Sequence, residues 1–141
     1  MNVNIENFVF RTDSDEYRIV NDVLWIISIK KKDIDSMTIG EKTITLITKL
    51  DGEVGNGGFV QYFLNTNGAF IADTIMSFKR INDYDFYLIF KQAITIFNSK
   101  LSKEVKEREW QELDNQYYIL NNSRLYRLLV SYIKENLHEF K

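Results

Sequence analysis

The chain has 141 residues, 45% hydrophobic and 27% charged, a composition that supports one hydrophobic core and excludes a disordered polar tract. Eighteen basic and 20 acidic residues leave a formal charge of −2, too little for a single-sign field that would hold nucleic acid or an anionic membrane. The absence of cysteine excludes disulfides, thiolate metal sites and thiol catalysis, and the lone histidine, His138, sits too near a fraying end to serve as the base of a nucleophilic triad.

Met1 to Glu16 has no basic stretch leading into an apolar run, so it does not read as a signal peptide. Val23 to Ile29, the most hydrophobic segment, is too short to span a bilayer, and a cytoplasmic protein is expected. The Asn121-Asn122-Ser123 sequon then has no glycosylation machinery to meet. No proline interrupts the chain, which suits continuous helices.

Tyr17, Val20, Leu24 and Ile27 fall on one helical stripe, with Asp13 and Ser14 as caps. Lys30-Lys31-Lys32 lies at the end of that helix, where positive charge is favoured. Thr38-Ile39-Gly40-Glu41 has the form of a capping box, and the helix it starts aligns Ile44, Ile47, Leu50 and Val54. Thr43 to Thr48 is rich in β-branched residues, but its alternation breaks at Leu46-Ile47, which favours helix. Five of the six glycines lie between Gly52 and Gly68, around an uncharged run of 19 residues from Val54 to Ala72. They predict a tight connection, then a short helix from about Gly57 to Thr66 with Gly58, Gln61 and Asn65 on one face. Amides there in place of charges point to a buried or half-buried polar face.

Asn82 to Asp85 provide a cap for a helix carrying Phe86, Ile89, Phe90, Ala93 and Phe97. Ser102 caps the next, with Trp110, Leu113, Tyr117 and Leu120 inward and Glu104 and Arg108 on a solvated face. Asn121 to Ser123 break the pattern before a last helix with Leu125, Leu128, Leu129, Tyr132 and Ile133. The sum is an all-α, single-domain bundle of about six helices over residues 1–141.

The segment Glu53-x-x-Asn56-Gly57-Gly58-Phe59-x-Gln61-Tyr62-Phe63-x-Asn65-x-x-Gly68 resembles the signature of a bacterial domain of unknown function known as the DNA-mimic protein family. Leu113-Asp114-x-x-Tyr117-Tyr118 is similar too, so the resemblance spans about residues 38–133. It implies an all-helical fold, no established enzymatic activity, and a partner among DNA-binding proteins or other effectors. Literal mimicry needs a dense row of carboxylates. Here the best acidic cluster, Asp13, Asp15 and Glu16, is flanked by Arg11 and Arg18.

Two readings of Glu53, Asn56, Gln61 and Asn65 stand side by side. In one they form an internal hydrogen-bond network around the glycine turn. In the other they line a site, with Phe59 or Tyr62 as a stacking face for a polar ligand. Asp51 and Glu53 diverge on a helix and make no acid/base pair, although Asp114 could approach Glu53 through the fold. Asp51-x-Glu53-x-Gly55 fails as a calcium loop, since Asn56 holds the required glycine position and Tyr62 the bidentate glutamate position. Gly52 to Gly58 is no phosphate loop. Arg124, Tyr126, Arg127 and Lys134 mix cations and aromatics, but Tyr132 between them belongs to the core stripe, so direct nucleic-acid binding is not expected. No cofactor or metal is implied. The expectation is a non-catalytic protein-binding module with a protein partner. An immunity-type inhibitor is one variant, and a small-ligand protein or unrecognised enzyme is the alternative. The aromatic surplus would suit a homodimer face.

Overall fold

The computed structural model describes residues 4–11, 15–121 and 123–141. Among them are seven α-helices, two 3-10 turns and no strand. The all-α expectation holds, with one helix more than counted from periodicity. The expected caps Asp13 and Ser14 lie outside the described residues, as does Asp13 of the acidic cluster.

A single turn, α1 (Glu6–Val9), precedes α2 (Glu16–Ile29). Asp15 caps α2 by accepting the Arg18 N–H at 2.8 Å. Its buried face is Ile19, Val20, Val23, Ile26 and Ile27. Tyr17, expected on that stripe, stands in solvent with its ring 5.3 Å from that of Tyr126. After a 3-10 turn (Ile34–Ser36), α3 (Ile39–Thr66) opens with the expected capping box, Thr38 and Glu41 each bonding the other's backbone N–H. Ile44, Ile47, Leu50 and Val54 are fully buried, as their spacing requires. The β-branched run from Thr43 to Thr48 is helical, as expected: Thr43 and Thr48 each donate a hydroxyl proton to the carbonyl four residues back, at 2.7 Å.

Glu41 is completely buried. Lys30 reaches it at 2.6 Å and Lys32 at 3.2 Å, so these lysines neutralise an interior carboxylate as well as ending a helix. Burial pushes Glu41 up, yet the bonds from Lys30, the Thr38 N–H and Lys32 outweigh it and hold the carboxyl below its ordinary range.

Then follow α4 (Ile71–Arg80), α5 (Tyr84–Phe97), α6 (Lys103–Leu120) and α7 (Arg124–Glu135). Ser102 caps α6 as expected. The α5 cap is Asp83, because Asn82 turns into the left-handed region at φ 58 and shifts the helix start by a residue. Helix α3 packs against α4 and α6, α5 lies against α4 and α6, and α2 pairs with α7. The end of the chain does not fray. A last 3-10 turn (Leu137–Phe140) buries Phe140, while the Thr38 hydroxyl donates to the Glu139 carbonyl and Lys30 to that of Phe140 at 3.2 Å. His138 stays exposed, as expected.

Candidate functional site

Helix α3 is broken in its middle. Gly57 leaves helical geometry at φ −153, ψ 18, and Gly58 follows at φ 75, ψ −175. The glycine turn and the short helix after it are therefore both real, although the hydrogen-bonded run continues across them. A break creates two new helix ends inside the molecule, with amides unpaired after it and carbonyls unpaired before it.

Helix α6 supplies a partner at each end. The Phe59 N–H donates to Asp114 Oδ1 at 2.9 Å, so Asp114 caps the second half of α3 from another helix. The Tyr118 hydroxyl donates to the Val54 carbonyl at 2.7 Å, closing the first half. One turn earlier, Asp51 Oδ1 accepts the Tyr117 hydroxyl at 2.6 Å and the Asn121 amide at 2.9 Å. Asp114, Tyr117, Tyr118 and Asn121 are spaced to share one face of α6. Burial raises the Asp114 carboxyl above its usual range against the opposing bond from Phe59. Burial, then the Asp51 charge, pushes the Tyr117 phenol far up. A Cβ on Gly58 would overlap the Asp114 carboxylate, so glycine is required there for space as well as for its positive φ.

A second bridge crosses the break. Glu53 Oε2 accepts Gln61 Nε2 at 2.9 Å and Asn65 Nδ2 at 2.7 Å, and Asn56 Nδ2 donates to Gln61 Oε1 at 3.2 Å. Hydrogen bonds from Gln61 and Asn65 hold the Glu53 carboxyl below its ordinary range. Gly57 lacks the Cβ that would collide with the Gln61 side chain in this pose.

The structure thus joins all four expected network residues, Glu53, Asn56, Gln61 and Asn65. It places them at the surface, with Asn56 and Asn65 exposed and Gln61 and Glu53 half-buried. The expected ligand-stacking rings are elsewhere: Phe59 and Tyr62 are core, 0% and 2% exposed. Gly68 lies in the turn to α4 at φ 79, with the Phe97 ring close above it. Asp114 and Glu53 make no shared bond: Asp114 accepts the Phe59 N–H, while Glu53 reaches across the break to the amides of Gln61 and Asn65. Sequence reasoning misses the bonding roles of Asp51 and Asn121, and places Tyr117 in the core stripe and the family-like segment without a hydrogen-bond partner. The signal was present in the polar groups recurring at 114, 117, 118 and 121 along one helix.

Among the described residues no cluster of metal-ligating side chains occurs, and no helix is long and apolar enough to cross a membrane. The family model described as DMP19-like protein matches residues 35–136, well over half of the chain and inclusive of both segments around the break. No curated protein and no solved structure matches the chain.

Proposed function

This chain belongs to the DMP19-like protein family, and we propose that it is a non-catalytic, cytoplasmic module that works by binding another protein, a DNA-binding protein or other effector. One observation carries this reading. The acidic groups around the glycine break are used by the fold: Asp51, Glu53 and Asp114 each accept hydrogen bonds that hold the break in α3. From Val54 to Thr66 that helix turns only neutral groups to solvent, among them the amides of Asn56 and Asn65 and the side chain of Leu64, which is 78% exposed. Neutral amides next to exposed hydrocarbon suit protein recognition better than proton transfer.

The charge distribution supports recognition by shape and hydrocarbon over imitation of a phosphate row. Asp22 faces Arg11, Asp83 and Asp85 share Arg124, Asp73 faces Lys42, and Glu41 is enclosed by Lys30 and Lys32. An immunity-type inhibitor would use the same surface.

The test is affinity capture from a lysate of the native cell with the tagged chain, read by mass spectrometry beside a Gln61→Ala variant. A stoichiometric protein partner is expected. Recovery of the chain alone, or with copies of itself only, would overturn the reading.

A further inference from the structure

We propose that the groove between the second half of α3 and the turn joining α5 to α6 docks a short segment of the partner protein, one carrying a large apolar side chain with a carboxylate within about one helical turn of it. The inference rests on the reading that this chain binds another protein.

The groove has a volume of about 400 Å³. Phe63, Phe97 and Trp110 line it, and their rings are stacked: Phe63 lies 4.6 Å from Phe97 at 12° and 5.1 Å from Trp110 at 16°. The Trp110 N–H is already given to the Ala93 carbonyl at 3.0 Å, so the indole offers the groove no donor. Leu64, 78% exposed, and Leu101, 41% exposed, also line it. A protein segment running past the groove would bury both.

Charge selects the segment. The lining holds two ammonium groups, Lys103 and Lys106, against one carboxylate, Glu107. Lys106 is fixed in place by donating to the Phe97 carbonyl at 3.0 Å. Lys103 has a side chain 85% exposed and lies 4.0 Å from Glu107, a loose pair that leaves its ammonium available. Both lysines stand in the first turn of α6, whose dipole adds positive potential at the same end. An incoming apolar anchor with a neighbouring carboxylate satisfies the aromatic lining and the cationic side together, and a basic segment is repelled.

The experiment pans a phage-displayed random-peptide library on the parent protein, with counter-selection on the Leu64→Asp variant. Leu64 and Lys103 are exposed, so Leu64→Asp and Lys103→Glu should keep the parent's melting behaviour, which is checked first. Enriched peptides should pair Leu, Phe or Trp with Asp or Glu. A synthesised example should bind the parent and lose roughly tenfold or more in affinity on either variant, a loss of hot-spot size. Ile119→Asp, at an exposed site on α6 outside the groove, should leave its affinity unchanged. No enrichment over the counter-selected variant, enrichment of basic peptides, or binding that survives Leu64→Asp would overturn the proposal. A lysate partner captured equally by the parent and both variants would place the interface elsewhere and leave the protein-binding reading intact. A parent that captures no partner would defeat that reading itself.

Discussion

Gly58 occupies backbone geometry that residues with a Cβ avoid, at φ 75 and ψ −175, and the space a Cβ needs is filled by Asp114. Gly58→Ala should cost on the order of 1–3 kcal/mol of stability from backbone strain alone, measured by chemical denaturation. Asp114→Asn tests the other side of the contact through pH. The folded pKa of Asp114 is raised by burial, so the native state holds that proton more tightly than the unfolded chain. Stability from this group therefore increases as pH falls from neutral toward the ordinary aspartate range. The parent should gain on the Asn variant in urea melts at mild acid relative to pH 7, and a parent that gains nothing or loses ground would refute the assignment. Asn56 makes an opposite case. Its hydrogen bond to Gln61 is exposed, so Asn56→Ala should change stability by only about 0.5 kcal/mol or less. The sequence made the partners of this network legible, because the spacing of 53, 56, 61 and 65 across a glycine turn brings them together. It did not reveal their exposure, since uncharged residues read as buried when the neighbouring surface is unknown. Asp51 was illegible for a related reason: its partners lie 66 and 70 residues away on α6.

The helices that announced themselves did so through caps and stripes. Thr38, Ser102 and the run Ile44, Ile47, Leu50, Val54 behave as their spacing dictates. Helix α4 escaped notice because no polar residue caps its start, although Ile71, Ile75 and Phe78 form a stripe against the core. Its N-cap is Phe70 in the left-handed region at φ 62, with no side-chain cap, and tertiary packing of Thr74, Ser77 and Phe78 holds it instead. The last 3-10 turn escaped because four residues carry no periodicity. Phe140 is 2% exposed there, and its carbonyl takes the Lys30 ammonium that also pairs with Glu41. Phe140→Ala should destabilise by about 3 kcal/mol, the low end for deletion of a buried ring. Thermal melts check this, and a loss under about 1 kcal/mol would show that the turn is not part of the packed unit.

Across the whole molecule, the apolar faces of α1 to α7 and Phe140 meet in one continuous core. Several tyrosines carry their rings into or against it. Burial, then the Asp51 charge, pushes Tyr126 up to about 12, and burial with the Glu139 bond does the same to Tyr132. A raised phenol pKa means that the native state keeps its proton where the unfolded chain would release it. Stability should therefore be retained up to about pH 10 and fall progressively between there and about 12. A spectrophotometric titration of tyrosinate, run with circular dichroism, should show these two phenols ionising only as helicity is lost. The break in α3 has a consequence for how this core opens. Its two halves are neighbours in sequence, yet the cap on the second half comes from Asp114, 55 residues along the chain from Phe59. Both halves are tied to α6, the first through Asp51 and the Val54 carbonyl and the second through Asp114. In native-state hydrogen exchange the Phe59 amide should therefore open with the amides of α6, although the two lie on helices far apart in the chain.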